Sequence, residues 1–234
     1  LVKNDAEIEF VAGVDAYMGI SNTYPVFESI EKCDVEADVV IDFTSTKLLT
    51  EMLNWSVAKQ VPVVLCTTGY SPEQLAEIEE ASKKVALLRS ANMSLGINLI
   101  MKLVQAATNV LAQAGYDIEI VERHHNQKLD APSGTALAIA DAINEVLNNE
   151  YAYKYDRSTE RVKREKKEIG ISAVRGGTIV GEHEVIFAGT DEVIEIKHTA
   201  YSKAIFGKGA VEAAKFLKGQ APGLYNMSQA IKEI

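Results

Sequence analysis

The stretch "ADVVIDFTSTKLLTEMLNWSVAKQVPVVLC", residues 37–66, sets the fold class of this chain. Residues 37–43 are an apolar run that predicts a strand, residues 45–60 have helical composition, and residues 61–66 form a second apolar run. A helix between two short buried strands is the unit from which parallel sheets are built, with helices packed on the faces of the sheet. We therefore expect an α/β fold around this segment.

The segments on either side continue this alternation of strand and helix. Residues 8–14 predict a short strand that ends at Asp15, and residues 85–90 predict another strand. Residues 71–84 predict a helix with Ser71 as its N-terminal cap. Together these elements predict a Rossmann-like domain with a mostly parallel sheet and helices on both faces.

A different pattern begins near residue 94. Long helices are predicted at residues 94–115 and 133–147, on either side of an alternating strand at residues 116–125. Three further strands follow, with short glycine-containing turns that predict antiparallel pairing: residues 169–174, 178–187 and 192–200. We expect an α+β domain with a mixed or antiparallel sheet.

The predicted domain boundaries follow from these two patterns. Residues 1–94 and 205–234 form the predicted dinucleotide-binding domain, and residues 95–204 form the predicted substrate-binding and oligomerisation domain. The chain opens without a methionine, on a segment typical of a helix that leads into a strand. We therefore expect the native N-terminus to precede Leu1.

Composition excludes several classes of function. A net charge of −9 argues against a nucleic-acid-binding protein, and no apolar run approaches the ~20 residues of a membrane span. The two cysteines, Cys33 and Cys66, lack the spacing of metal ligands, so we expect no metal site. They suggest a reducing compartment, and we expect a cytoplasmic protein.

The motif "ERHHNQKLDAPSGTALAIADAI", residues 122–143, contains two of the four histidines. His124 and His125 end a predicted strand, so their rings point to opposite faces and have different environments. An imidazole is the natural proton donor at neutral pH, and Lys128 adds a positive charge nearby. These residues predict a proton-donating site.

A predicted helix start follows in the same motif. Ser133 is the expected cap, and the backbone N–H groups of Ser133, Gly134 and Thr135 would face an anion placed before the helix. With the histidines, this predicts a site for a small substrate that carries carboxylates. The alternative is an ordinary strand–loop–helix connection with a serine cap and two surface histidines.

The ends of the predicted parallel strands form a second candidate site. An acidic residue such as Asp15 can bind a ribose 2′-OH, although strand ends also carry aspartate for reasons of turn formation. Its usual partner, a glycine-rich phosphate loop about 20 residues upstream, would lie before Leu1. Thr44, residues 66–69 and residues 90–94 follow other predicted strands, at the edge where such sheets bind ligands.

The remaining candidates have structural interpretations. His183 and His198 share strand faces with apolar residues, which favours packed, hydrogen-bonded core histidines over catalytic ones. Residues 154–167 mix basic and acidic side chains and predict a solvated loop.

These segments together resemble the dihydrodipicolinate reductase family, over essentially the whole chain. The most specific string is "ERHHNQKLDAPSGTAL", residues 122–137. Five further strings support the resemblance in the expected order: "IDFT", "TTGY", "SANMSLGIN", "RGGTIVGEHEVIF" and "GAVEAAKFL". The resemblance implies NAD(P)H-dependent reduction of 4-hydroxy-tetrahydrodipicolinate (dihydrodipicolinate) to tetrahydrodipicolinate in lysine and diaminopimelate biosynthesis, by a homotetramer.

The resemblance also implies roles for individual residues. His124 would donate the proton with assistance from Lys128, while His125, Gly134 and Thr135 would hold the carboxylates of a dicarboxylate substrate. The residues expected to line NADH or NADPH lie at the strand ends: Asp15, Thr44, Cys66, Thr67, Thr68, Ser90, Ala91, Asn92 and Met93.

Three features depart from the family pattern, namely Cys66, Lys203 and the missing glycine-rich loop, and a fourth feature bears on the choice of cofactor. Cys66 stands where glycine is usual, and Lys203 stands where arginine is usual, so a bidentate contact would be lost. Asp15 is followed by Ala16 rather than by a basic residue, which favours NADH over NADPH. The glycine-rich loop is absent from the chain as given.

Two kinds of alternative remain. One is a catalytically impaired dicarboxylate-binding relative that has lost the cofactor loop. The other is a dehydrogenase of the aspartate-semialdehyde or homoserine type, which would need a cysteine nucleophile or a Lys–Asp pair placed differently from the residues of this motif.

Overall fold

The structure, a computed structural model, describes Val2 and residues 5–17 and 19–231. The chain divides into two compact units, of which unit 1 is Leu1–Met93 with Phe206–Ile234 and unit 2 is Ser94–Ile205. In chain order the described strands and helices are β1 (Gly13–Val14), β2 (Val26–Phe27), β3 (Val40–Asp42), α1 (Leu49–Lys59), β4 (Val63–Leu65), α2 (Pro72–Ser82), β5 (Ala86–Arg89), α3 (Leu95–Leu111), β6 (Asp117–His124), α4 (Gly134–Val146), β7 (Ala152–Lys154), β8 (Glu168–Arg175), β9 (Gly181–Ala188), β10 (Val193–Ala200), α5 (Ala204–Leu217), β11 (Gly223–Tyr225) and α6 (Met227–Ala230).

Unit 1 contains a four-stranded sheet in the order β11-β5-β4-β3, and all its pairs are parallel. Val63 and Leu65 pack in a cluster with apolar residues of α1 and α2. Val64 between them is also fully buried. Because neighbouring strand residues face opposite sides, both faces of this sheet are covered, as expected for parallel strands. The parallel, Rossmann-like sheet predicted from residues 37–66 is confirmed.

Residues 8–14 behave differently from the predicted strand. Only Gly13 and Val14 form a strand, and they pair in parallel with Val26 and Phe27 in a separate two-stranded sheet. The sequence analysis did not predict that second strand. A two-residue strand is defined by the partner that it meets and not by its own composition, so its bounds are poorly predicted from sequence.

Unit 2 contains a mixed five-stranded sheet in the order β10-β9-β6-β8-β7. Helices α3 and α4 pack together, and their apolar residues form one core with the sheet. The fully buried members of this core alternate along β6 and β9 with half-buried residues, and they include Ile118, Ile120, Val185 and Phe187. Such alternation is typical of a sheet with one face on the core.

The predicted hairpin between β8 and β9 is wrong. Strand β6 lies between them, pairing in parallel with β8 and antiparallel with β9. The Gly176–Gly177 turn crosses the end of β6, where Gly176 N–H donates to His124 O at 2.9 Å and Asn126 N–H donates to Gly177 O at 3.2 Å. A glycine turn fixes a local change of chain direction, but it does not determine which strands become neighbours.

The predicted loop at residues 154–167 begins in another short strand. Ala152–Lys154 forms β7 and pairs in parallel with β8 at the edge of the sheet. Edge strands receive hydrogen bonds on one side only, so they carry a weaker apolar signal than central strands.

Candidate active site

Strand β6 carries two buried polar side chains toward the core face of the unit 2 sheet. Glu122 is fully buried and His124 is 8% exposed, and both fall on the buried positions of the alternating strand. His125, which follows the strand, is only half-buried. The two neighbouring histidines therefore have different environments, as the strand geometry predicts.

The carboxylate of Glu122 joins three segments of the chain, and we call Glu122, His124, Ser133 and Arg175 the Glu122 network. His124 Nδ1 lies 2.6 Å from Glu122 Oε2. Arg175 Nη1 donates to Oε2 and Nη2 donates to Oε1, both at 2.7 Å. Ser133 N–H donates to Oε1 at 2.9 Å. Both carboxylate oxygens are thus held by groups from outside their own strand.

Charge balance keeps Glu122 ionised despite its burial. Burial acts to raise the pKa of Glu122, but hydrogen bonds from Arg175, His124 and Ser133 outweigh it and hold that pKa below the ordinary 4.5. Desolvated carboxylates require such partners, and a bidentate arginine is the strongest of them. The buried site therefore contains a fixed negative charge beside an imidazole.

The sequence analysis assigned no role to Glu122 or Arg175. Glu122 does stand two residues before His124, the spacing that places two side chains on one face of a strand. Arg175 lies 53 residues away from Glu122 along the chain, and no local pattern joins them.

His183 lies beside His124, with ring centroids 5.2 Å apart in an edge-to-face arrangement. Its Nε2 is 3.1 Å from Ser133 Oγ. Burial first, and then the neighbouring His124, lower the pKa of His183 to about 4. The predicted packed, hydrogen-bonded histidine is confirmed at this position, and its ring is neutral at physiological pH.

His198 differs from the predicted core histidine. It is only half-buried on the edge strand β10, and its Nδ1 makes no hydrogen bond with any described residue. Burial of the ring lowers its pKa. An edge strand has one open side, which explains the incomplete burial.

The start of α4 supplies the predicted serine cap, but it uses Ser133 differently from the prediction. Ser133 Oγ accepts a hydrogen bond from Ala136 N–H at 3.1 Å, as a cap should. The Ser133 N–H binds Glu122, so it is turned to the protein and not toward a ligand. At Gly134 no atom lies within 4 Å of the position that a Cβ would occupy, so this position is open, and Thr135 is half-buried in the same turn.

Lys128 lies in the loop between β6 and α4. Its Nζ forms a 2.8 Å ion pair with Asp130 Oδ1, and its side chain is 22% exposed. Arg175 Nη2 donates to the backbone oxygen of Asp130 at 2.6 Å, which ties this loop to the Glu122 network. The ammonium group is therefore held near the network by an acidic neighbour.

In unit 1 the predicted cofactor residues follow three neighbouring parallel strands, at one edge of the sheet. We call them the strand-end loops: Thr44 after β3, Cys66, Thr67 and Thr68 after β4, and Ser90, Ala91, Asn92 and Met93 after β5. Asp15 instead follows β1 in the two-stranded sheet, exposed, with its Oδ1 accepting from Tyr17 N–H at 2.8 Å. The parallel register brings the strand-end loops together, and no strand pairing among described residues adds Asp15 to them.

Two features in and next to the strand-end loops bear on whether these loops fit a polar ligand. Thr67 Oγ1 is buried and makes no hydrogen bond of normal geometry with a described residue. Gly69 has a φ of 83° and no atom within 4 Å of its Cβ position. An unsatisfied hydroxyl beside open backbone is what a ligand with hydrogen-bonding groups would use.

Cys66 has the properties of an unreactive thiol. Burial, with a smaller effect from Asp42, raises its pKa to about 12. Because the thiolate is the nucleophilic form, Cys66 does not fit the cysteine nucleophile of an aspartate-semialdehyde type dehydrogenase.

Comparison with known proteins identifies the family. The family models described as "Dihydrodipicolinate reductase, N-terminus" and "Dihydrodipicolinate reductase, C-terminus" match residues 1–93 and 96–231. This chain belongs to the dihydrodipicolinate reductase family. The predicted family resemblance is confirmed, and membership of the family implies a nicotinamide cofactor.

Individual members of the family resemble the chain over nearly its full length. The 4-hydroxy-tetrahydrodipicolinate reductase of Caldanaerobacter subterraneus subsp. tengcongensis is 53% identical, over 100% of this chain and 92% of that protein. The reductase of Clostridium novyi is 50% identical, over 99% of this chain and 91% of that protein.

A solved structure of the family also matches. The dipicolinate-bound dihydrodipicolinate reductase from Paenisporosarcina sp. TG-14 has a TM-score of 0.80 at 26% identity, over 98% of this chain and 92% of that one. The predicted combination of a Rossmann-like domain and an α+β domain is thereby confirmed. None of the described helices is long and apolar enough to cross a membrane.

Proposed function

We propose that this chain catalyses the NAD(P)H-dependent reduction of 4-hydroxy-tetrahydrodipicolinate in lysine and diaminopimelate biosynthesis. The observation that carries the proposal is that the N-terminal and C-terminal family models together match residues 1–93 and 96–231. The buried imidazole–carboxylate pair of His124 and Glu122 supports it, because it supplies a defined proton donor in the unit that also contains the start of α4.

The proposed roles divide between the two units. The strand-end loops and Asp15 would hold the cofactor, which supplies a hydride to the substrate ring when bound. His124 would donate a proton to the neighbouring ring carbon, and Lys128 would stabilise the negative charge that develops. This division assigns binding of the cofactor and transfer of the proton to separate parts of the chain.

A dicarboxylate substrate would be held at the start of α4. The Gly134 and Thr135 N–H groups lie at a helix N-terminus, which favours anions, and the Gly134 N–H already helps to lower the pKa of the Asp130 carboxylate. His125 directly follows β6, in the segment that leads to α4. The dipicolinate named for the Paenisporosarcina structure is itself a dicarboxylate. Ser133 would act indirectly, since it holds Glu122 and caps the helix.

Three finer predictions accompany this function. NADH would be preferred over NADPH, because Ala16 after Asp15 supplies no positive charge for a 2′-phosphate. The protein would act as a homotetramer and reside in the cytoplasm. The ratio of kcat/KM for the two cofactors tests the preference for NADH. Size-exclusion chromatography with light scattering tests the homotetramer.

The decisive experiment follows the absorbance of the reduced nicotinamide. Protein from the complete gene is supplied with freshly made dihydrodipicolinate synthase product and with NADH or NADPH. Oxidation of the cofactor that depends on this product supports the proposal. A folded protein that binds dicarboxylates but consumes no cofactor would instead be the impaired, dicarboxylate-binding relative.

The substrate-binding role has its own test in Thr135→Val. The substitution leaves the backbone N–H in place and removes the Thr135 hydroxyl, which we propose also donates to the substrate carboxylate. We expect a higher KM for the substrate, by roughly 10-fold or more, because a hydrogen bond to a charged group contributes about 1.5–3 kcal/mol. The matched control is Thr190→Val at an exposed position of the same unit. An unchanged KM in Thr135→Val would show that the Thr135 hydroxyl does not bind the substrate anion.

A further inference from the structure

The hydrogen on Nδ1 of His124 is determined by its partner. An ionised carboxylate only accepts hydrogen bonds, so the 2.6 Å contact requires that Nδ1 carry the hydrogen. In the neutral ring this leaves Nε2 without a hydrogen, and in the protonated ring Nε2 carries the proton that can leave. The contact therefore selects one tautomer and one nitrogen for exchange with a ligand.

The Glu122 carboxylate has no freedom to turn away. It is fully buried, and both oxygens are bound by Arg175 while Ser133 N–H binds Oε1. A bidentate arginine fixes the plane of a carboxylate as well as its position. The ring plane of His124 is set by that fixed acceptor.

Gly181 lies next to the edge of the His124 imidazole that is opposite Glu122. A Cβ at Gly181 would lie 3.1 Å from His124 Nε2 and 3.4 Å from Cδ2. The first of these distances is shorter than an ordinary carbon–nitrogen contact. A side chain at position 181 would therefore crowd Nε2, the nitrogen that does not contact Glu122. Glycine keeps that edge of the ring uncovered.

We propose that Glu122 is a positioning residue for the proton donor, holding the His124 ring so that Nε2 delivers the proton to the substrate, with Arg175 and Ser133 fixing Glu122. This inference rests on the proposed function. In the step itself the proton leaves Nε2 for the ring carbon. The neutral imidazole keeps the hydrogen on Nδ1, still hydrogen-bonded to Glu122. Glu122 therefore stays a carboxylate throughout.

Other charged and titratable groups around the ring come from three further segments. His183 of β9 lies edge-to-face with it, and Arg175 of β8 contacts the same carboxylate. Lys128, paired with Asp130, acts electrostatically on His183 from the loop. In contrast to these groups, Glu122 contacts a nitrogen of His124 directly, so its removal has a distinct signature.

The first test uses the wild-type protein and needs no turnover. Nitrogen-15 NMR distinguishes the two neutral imidazole tautomers, and single His→Gln variants assign the four histidines. We expect the Nδ1–H tautomer at His124. The Nε2–H tautomer there would overturn the proposal, even for a fully active enzyme.

The second test is kinetic. Glu122→Gln should lower kcat by roughly 10–100-fold and move the alkaline limb of the kcat–pH profile to lower pH, because the protonated ring loses its anionic partner. Glu122→Asp should retain the wild-type limb even if its kcat falls. An unchanged alkaline limb in Glu122→Gln, or an equal shift in Glu122→Asp, would contradict the proposal.

The matched control is Glu119→Gln on the same strand. Glu119 also binds arginines, Arg157 and Arg164, but lies on the other face of β6. We expect its pH profile to match wild type. A shifted limb in this variant would show that loss of any arginine-bound carboxylate of β6 is sufficient, which would also contradict the proposal.

A double variant covers the case in which Glu122→Gln fails to fold because Arg175 is left unpaired. Glu122→Gln with Arg175→Met removes both charges and keeps the side-chain volumes similar. It should fold and show the same shifted limb, and a wild-type limb would overturn the proposal. Absence of activity in the wild type would count against the proposed function, while the NMR tautomer would still decide the role of Glu122.

Discussion

The strand-end loops of unit 1 and the Glu122 network of unit 2 are assembled in different ways. The side-chain contact at Thr44 is local: Thr44 N–H and Oγ1 both donate to Asp42 Oδ1, at 2.9 and 2.6 Å, two residues away. Cys66 N–H donates to Asp42 O at 2.9 Å, which is the ordinary pairing of neighbouring parallel strands. In the network, Glu122 binds Ser133 from 11 residues away and Arg175 from 53 residues away. A general binding edge can be built from repeated local units, whereas a single oriented proton donor requires distant segments to converge.

His124→Ala tests the sharpest form of this contrast. Loss of the proposed proton donor should lower kcat by roughly 10²–10⁴-fold and leave the affinity for reduced nicotinamide nearly unchanged, because the proposed cofactor site in the strand-end loops is untouched. Steady-state kinetics and cofactor titration measure the two effects. His198→Ala, which removes a half-buried imidazole from the same sheet, is the control. A wild-type kcat in His124→Ala would remove His124 from the mechanism.

The loss of stability in acid provides a second comparison, because His183 and Glu122 of unit 2 have lowered pKa values. The pKa of His183 is about 4 in the folded protein and 6.5 for an ordinary histidine. Between these pH values the unfolded chain binds a proton at His183 that the folded chain does not bind. Stability is therefore full above pH 6.5 and declines as the pH falls toward 4, and the lowered pKa of Glu122 adds a further loss below 4.5. We expect unit 2 to lose about 2 kcal/mol between pH 7.5 and 5.

Urea unfolding at the two pH values, followed by probes in each unit, measures this difference. In His183→Gln the loss should shrink, because the substituted side chain does not titrate. Equal stability of the wild type at both pH values would show that His183 is able to take up a proton in the folded protein.

Cys66→Gly should have the smallest effect and should act on the cofactor alone. Glycine at this position lets a ligand approach the backbone more closely, so we expect a two- to fivefold lower KM for the nicotinamide, less than about 1 kcal/mol. The kcat should remain unchanged. Cys33→Gly is the control, and a large change in kcat for Cys66→Gly would break the separation between binding edge and proton donor.

Much of the fold was predictable because it is encoded locally. The apolar strands at residues 37–43 and 61–66 carry their signal in their own composition, and the cap of α4 follows from Ser133 alone. Strand pairing was less predictable. The Gly176–Gly177 turn was compatible with a hairpin, yet the apolar strand β6 takes the central position and separates β8 from β9.

In the candidate site, too, the locally encoded features were predictable and the long-range contacts were not. The motif at residues 122–143 was sufficient to single out His124, Lys128 and the helix start. Glu122 lay within the motif without an assigned role, and Arg175 gave no signal, because an arginine at the end of a strand is common on protein surfaces.

The sequence by itself determined which chemical groups this protein possesses and the order of its strands and helices, because residue type, periodicity and capping act over a few residues. Only the tertiary structure decided that Ser133 N–H is bound to Glu122, that Arg175 reaches the same carboxylate and that His183 lies against His124. The physical reason is that a buried charge must be satisfied by whichever groups the packing of distant segments brings within hydrogen-bonding distance.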